Sequence, residues 1–504
     1  MKEKNDKKDA KLSACFPGLI DICEAQDGQL LYLVVRDGQL SLQENAIIKG
    51  CEVIPPDRDA MPFTLPQAEK VMEYINQDDA TLYRDVVAYL KRFSALDDHQ
   101  WSVVAHFLFL TYLQDHQDIY YSPILLFYAV PERGKSRTGK SLTYLAYRGI
   151  HLNELREANI LRYCENLRST LFFDIMDVWK KAERTSCEDI LLGRFEKGQK
   201  CSRVLYPDKG PFKDMKYYDV YGPTIIASNE QLHKILDTRC LQIIMPNLPG
   251  NYENPHPATA HELKARLTAW RGKHLYAELP QMEPLEGISG RLWDISKSLF
   301  LVNSLLDAES DLLKEAILSI SGERSESKQD SVEGRLVAII REITDEQALD
   351  RCPDWYIKTS EIVRRFNEDR PDDKHVSPQW IGKKLKSMSI RHRTVIGRSE
   401  IQLTTREYTT LLDQYGFNRR ESQNPTETLQ EKEQHIQLDM ADVGSGRVSE
   451  QVQASTFNSP EEMDIYYERL NIMLHDGEAT RDEAEQGAWD AVLQWRREHD
   501  DLPF

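Results

Sequence analysis

Residues 122–149 read SPILLFYAVPERGKSRTGKSLTYLAYRG, and the order of features in this stretch decides the fold. An apolar run, Ile124 to Val130, precedes Gly134-Lys135-Ser136-Arg137-Thr138-Gly139-Lys140-Ser141, and a helical pattern follows from Leu142 to Tyr147. This is G-x-x-x-x-G-K-S between a strand and a helix. Glycines let a backbone wrap closely around phosphates, while successive N–H groups and a helix N-terminus supply partial positive charge. In this frame Lys140 reaches the β- and γ-phosphates and the Ser141 hydroxyl ligates Mg²⁺. The eight residues from Gly134 to Ser141 are therefore the expected binding set for ATP with Mg²⁺.

Three later runs extend the pattern. Thr170-Leu171-Phe172-Phe173 ends in Asp174, an acid at the strand tip where a cation would sit. Pro223 to Ala227 ends in Ser228-Asn229-Glu230, a polar tip suited to a water or a γ-phosphate. Asp237-Thr238-Arg239 then leads into Leu241–Met245. Asp174 joins Ser141 as an expected Mg²⁺ ligand.

These four features, in this order, resemble the AAA+-type P-loop ATPases, and more narrowly the primase/helicase-associated ATPases of phages, plasmids and integrated mobile elements. The resemblance covers Ile124 to Phe300. It implies that Asp174 is the Walker B acid, Asn229 the sensor-1 group and Arg239 an arginine finger toward a neighbouring subunit of a homo-oligomeric ring. It also implies that Arg291 is a sensor-2 arginine on the nucleotide. One departure stands out: the family's Walker B reads Asp-Glu, and here Ile175 follows Asp174. Asp177 is the expected substitute as water activator, with Glu230 next. The implied activity is that of a helicase-like ATPase acting on DNA, single strands included. The alternatives are a nucleotide-gated winged-helix regulator without hydrolysis, and an ATPase that loads a helicase or initiator.

The expected fold class is α/β: an AAA+-like P-loop core with an N-terminal β/helical region and a C-terminal winged helix. The 504 residues divide into a tail and small β-unit (1–62), a helical segment (63–120), the ATPase core and lid (121–321) and a winged-helix-like domain (330–420). A polar, disordered linker (421–459) and an acidic helical tail (460–504), suited to a protein partner or to folding back, complete the chain. Asp37-Gly38 between apolar runs predicts a hairpin, and Gly322–Ser331 reads as a polar linker.

The formal net charge of −18 disfavours blanket nucleic-acid binding, so contacts must be local. Lys383, Lys384, Lys386, Arg391, Arg393 and Arg398, on the third helix and hairpin of the winged helix, are the expected phosphate contacts. Between the second and third core strands, Lys200, Lys209, Lys213 and Lys216 interleave with Tyr206, Phe212, Tyr217 and Tyr218. That composition suits either single-stranded nucleic acid or an exposed hairpin with solvated lysines. Eight scattered cysteines without a C-x-x-C pair imply a reducing, cytoplasmic setting. Met1–Lys11 is charged without a signal-peptide core behind it, and Trp101–Leu113 is a core helix too short to span a bilayer. No membrane partner is expected.

Overall fold

The computed structural model describes residues 10–417, apart from 37, 131, 211, 212, 231, 248, 249, 307, 309, 369, 372, 373, 396 and 397. The expected disordered linker and acidic tail lie outside the described residues.

The chain opens with six short strands: β1 (Lys11–Leu12), β2 (Leu19–Glu24), β3 (Leu30–Arg36), β4 (Gln39–Gln43), β5 (Ala46–Ile48) and β6 (Cys51–Ile54). β2, β3 and β4 form an antiparallel meander, with Arg36 paired to Gln39. Gly38, at φ 77°, takes the left-handed conformation that a hairpin turn needs. Three helices follow: α1 (Ala68–Glu73), α2 (Asp79–Lys91) and α3 (Asp98–Tyr112). Asp78 and Asp97 cap α2 and α3 by accepting from backbone N–H groups. Every residue from Trp101 to Tyr112 is buried, so α3 is a central helix rather than a one-sided one.

The core alternates strand and helix: β7 (Ile124–Tyr128), α4 (Lys135–Leu145), β8 (Ile150–Leu152), α5 (Glu157–Leu167) and β9 (Leu171–Asp174). Then come α6 (Val178–Thr185), α7 (Glu188–Gly193), the antiparallel hairpin β10 (Lys200–Val204) and β11 (Met215–Asp219), β12 (Thr224–Ser228), α8 (Lys234–Asp237) and β13 (Cys240–Ile244). The main sheet has the order β13-β7-β12-β9-β8, with every pairing parallel. Parallel sheets are covered on both faces, which is why these strands are near-continuous apolar runs. The strand period of two sends Leu125 and Phe127 into a core shared with α3 and α4, and Ile124 and Leu126 into a second core with α5, α6 and α7.

The N-terminal strands are keyed into this body by buried charge. Arg148, just after α4, donates to Asp21 at 2.8 Å, with both side chains 1% exposed. It also reaches Ala14 O (2.8 Å) and Leu167 O (2.9 Å). Arg271, on α9 (His261–His274), donates to Ile20 O at 2.8 Å and to Asp115 at 2.8 Å.

α10 (Gly290–Leu306) and α11 (Ser310–Gln329) follow. Most of the polar linker expected at Gly322–Ser331 is instead the last turns of α11, which ends at Gln329, with Ser331 capping the next helix. Arg324 of α11 is drawn inward to the carbonyls of Asp237 and Cys240, so a run that reads as solvated is a bridge. Beyond it, α12 (Val332–Gln347), β14 (Asp354–Lys358), α13 (Thr359–Glu368), α14 (Pro378–Ser387), β15 (Arg391–Val395), β16 (Arg398–Thr404) and α15 (Thr405–Gln414) surround a separate apolar core. Their sheet is antiparallel, in the order β14-β16-β15. No helix among the described residues is long and apolar enough to cross a membrane.

Candidate functional site

Parallel α/β sheets bind ligands beyond the carboxyl ends of their strands. A cavity of about 560 Å³ lies there, lined by residues 132–137, by Asp174, Ile175 and Met176 after β9, and by Ala227 and Asn229 at the tip of β12. The loop after β7 forms its rim. Glu132 (φ 68°) and Gly134 (φ 82°) are both left-handed, the turn geometry that points N–H groups toward one concave side. Gly134 is the N-cap of α4, so the helix starts at Lys135.

This start corrects the frame read from the sequence. Gly139, Lys140 and Ser141 fall in the second turn of α4 and do not line the cavity. Gly139 faces the sheet, where a Cβ would meet the Phe172 ring at 2.2 Å. Ser141 is fully buried and donates to Thr138 O at 2.9 Å, which takes it out of reach of a cation. Thr138 is likewise buried, bonded to Gly134 O at 3.0 Å. Five residues upstream, Lys135 and Ser136 stand where Lys140 and Ser141 were expected. The Ser136 hydroxyl donates to Asp174 Oδ1 at 2.8 Å. Lys135 Nζ is folded back onto Ala129 O and Val130 O, both at 2.8 Å, and burial lowers its pKa. The sequence held the signal: Ala129-x-x-x-x-Gly134-Lys135-Ser136 is the same motif with alanine at its first position. The overlapping match that begins on glycine hid it.

Asp174 ends β9 as expected. His151 of β8 sits with Nε2 3.5 Å from Asp174 Oδ2, its ring stacked on Phe172 at 5.0 Å. The imidazole, together with the Ser136 hydroxyl, holds the Asp174 carboxyl below its ordinary range, against the upward pull of burial. Nothing in the sequence around His151 signalled this contact. Serine hydroxyl, carboxylate, lysine and helix N-terminus together suit a phosphorylated ligand with a divalent cation. The buried Nη1 of Arg133, without a hydrogen-bond partner among the described residues, adds a free donor for such a ligand.

Asp177 does not join the cavity lining. It caps α6, accepting from Lys180 N at 3.2 Å and pairing with Lys180 Nζ at 2.9 Å. Ile175 is buried, and the exposed side chain between them is Met176. Asn229 does line the cavity, while Glu230 is exposed and is not among its lining residues.

Arg239 and Arg291 meet each other rather than the cavity. Both lie over the Phe195 ring, at 4.7 and 5.2 Å. Phe195 O accepts from Ser122 N and Arg239 O from Ile124 N, so the pair sits at the amino end of β7. That is the opposite edge of the sheet, roughly 13 Å away along a five-residue strand. Arg291 thus lies at the end of the sheet opposite the cavity.

Of the residues expected to contact nucleic acid, three form surface ion pairs. Lys384 pairs with Glu333, Arg391 with Glu407 and Arg393 with Glu400, each at 2.8 Å. Lys383 and Lys386 are exposed and form no ion pair among the described residues. The side chain of Arg398 lies outside what is described. On the β10–β11 hairpin, Val204, Leu205, Tyr206, Met215 and Tyr217 are exposed, and Lys209 and Lys216 lie over Tyr206 and Tyr218 at 3.8 and 4.4 Å.

The architecture is a mixed α/β fold around a parallel sheet with a loop-and-carboxylate cavity at its carboxyl edge. No known protein family matches the chain, and no curated protein does. Among solved structures, the A-form apo structure of the NrS-1 C-terminal region is similar over 74% of this chain and 94% of that one, at 12% identity and a TM-score of 0.32. The SCCmec type IV Cch active helicase is similar over 80% of each chain, at 12% identity and a TM-score of 0.33. Likeness at that level assigns neither residues nor activity.

Proposed function

We propose that this chain binds ATP with Mg²⁺ in the Ala129–Ser136 loop and hydrolyses it to drive a helicase-like, AAA+-type motor of a mobile element on DNA. The observation that carries this reading is the 2.8 Å bond from Ser136 to Asp174, which joins a glycine loop to an acidic strand tip across the cavity. Ser136 and Asp174 would hold the cation, whose chemistry is to neutralise phosphate charge. Lys135 would exchange two backbone carbonyls for phosphate oxygens, and Asn229 would hold the attacking water. DNA would be engaged by the β10–β11 hairpin, whose tyrosines and lysines suit stacking and backbone contact, and by Lys383 and Lys386 in a winged-helix-like C-terminal unit. Arg239, if it serves a neighbouring subunit in a ring, would do so from the amino edge of the sheet.

The deciding experiment is ATP hydrolysis by the purified protein with and without single-stranded and duplex DNA, with Lys135→Ala as the control. Turnover that DNA stimulates and Lys135→Ala abolishes supports the motor. A second reading, an ATP-gated DNA-binding switch, is favoured by one observation: Ile175 is buried and Asp177 is committed to its helix cap. Tight ATP binding without turnover on any nucleic acid would select it.

A further inference from the structure

We infer that Arg133 is a catalytic residue acting in cis, its guanidinium bound to the phosphate chain of the nucleotide in its own loop. This deepens the ATPase reading above and rests on it. Arg133 immediately precedes the cap of α4 and lines the cavity. Its Nη1 is buried with no hydrogen-bond partner, and the residue forms no ion pair among the described residues. A buried donor left unmade costs about 1–3 kcal/mol, more when charged, so a turn of this cavity-lining side chain that brings the donor onto an anion is favoured. The flanking residues hold it there: Glu132 at φ 68° and Gly134 at φ 82° fix the loop on both sides. A left-handed non-glycine residue persists where its surroundings over-determine it, and such residues cluster at ligand clamps.

Charge points the same way. The cavity lining carries three cationic residues, Arg133, Lys135 and Arg137, and two carboxylates, Glu132 and Asp174. The lining thus favours a polyanion. Arg239 and Arg291 do not line this cavity, and both lie over Phe195 at the far end of the sheet. Arg137 lies in the first turn of α4 and lacks a buried unpaired nitrogen.

In the step itself, a water oxygen bonds to the terminal phosphorus as the bond from that phosphorus to the bridging oxygen breaks. The bridging electron pair leaves on the nucleoside diphosphate, and the water proton ends on the released phosphate or in solvent. Arg133 stays protonated throughout and neutralises the charge spread over the phosphate oxygens. An arginine in that role contributes about 10³–10⁵ in turnover.

The test uses the full chain with a fluorescent ATP analogue for binding and phosphate release for turnover. Arg133→Ala and Arg133→Lys should still bind the analogue while turnover falls by about 10³-fold, because lysine lacks the planar fork. Mixing Arg133→Ala with Lys135→Ala distinguishes cis from trans. The first binds ATP without the arginine, and the second carries the arginine without binding. Cis action predicts no recovery of turnover on mixing, and recovery would overturn it. Turnover in Arg133→Ala within a few-fold of wild type would also overturn it, as would wild-type binding with no turnover. Failure of the wild type to bind the analogue at all would instead remove the nucleotide reading beneath.

Discussion

Gly139 lies against Phe172 so closely that a Cβ at this position would sit 2.2 Å from the ring's Cζ. The second glycine of the G-x-x-x-x-G-K-S run is thus a packing residue between helix α4 and strand β9. Gly139→Ala should destabilise the protein by about 1–3 kcal/mol through overpacking, with ATP affinity retained by the folded fraction. Urea unfolding, paired with analogue binding at low temperature, measures both. Loss of binding without loss of stability would return Gly139 to the phosphate loop.

The two lysines of the run should separate cleanly. Lys135→Ala removes the ammonium that the loop carbonyls hold at 2.8 Å and should abolish ATP binding. Lys140→Ala, one turn farther along α4, should weaken it only slightly, through the longer-range pull of its charge on Asp174. Equilibrium titration of both variants checks this. The reverse ranking would restore the original frame.

Asp174→Asn and Asp177→Asn should also differ. Loss of the Asp174 carboxylate removes the acceptor of the Ser136 hydroxyl and should impair metal-dependent binding and turnover together. Asparagine caps helices about as well as aspartate, so Asp177→Asn should be nearly silent in turnover, whereas Asp177→Ala should cost about 1 kcal/mol of stability. A fall of about 10²-fold or more in Asp177→Asn turnover would show a water-activating role that the cap geometry hides.

Lys264 gives a pH signature. It is fully buried, donates to Ala146 O at the end of α4, and burial lowers its pKa from 10.5 to about 8. The unfolded chain therefore binds this proton more readily than the folded one between those values. Stability then rises with pH across that window, and below it the full penalty applies, on the order of 3 kcal/mol. The stability difference between wild type and Lys264→Met should shift in favour of wild type from pH 8 to 10.5. A difference independent of pH would mean that the ammonium is not desolvated.

Salt dependence tests the C-terminal unit. Lys383→Ala with Lys386→Ala should lower DNA affinity across sequences and reduce the slope of log K against log salt by about 2. Lys384→Ala should chiefly break its 2.8 Å pair with Glu333 and leave that slope nearly unchanged. Equal slopes for all variants would move the contact elsewhere, with the tyrosine hairpin next.

The strands of the core were legible because a parallel sheet buried on both faces demands unbroken apolar runs, and Ile124–Tyr128, Leu171–Phe173 and Thr224–Ala227 supply them. The position of Asp174 and Asn229 at the cavity was legible too, since both follow strands at the carboxyl edge of the sheet. The start of helix α4 was not legible from pattern alone, because GKS occurs twice five residues apart and only the helix start separates them. The place of Arg239 and Arg291 was not legible either, because which end of a sheet a loop occupies depends on strand direction and order, not on motif spacing. The linker at Gly322–Ser331 failed because one inward arginine, Arg324, anchors a run whose composition is otherwise solvated.

The buried pair of Arg148 and Asp21 has a practical corollary. Removing one member of such a pair costs about 3–5 kcal/mol, since the other charge is stranded. A fragment that begins at the helical segment or at β7 would strand Arg148 and take from Arg271 its Ile20 acceptor, each guanidinium 1% exposed. The described strands β1 to β6 therefore behave as part of the body built on the parallel sheet rather than as a detachable module. Trimming them should lower the stability of the remaining body by about 3–5 kcal/mol.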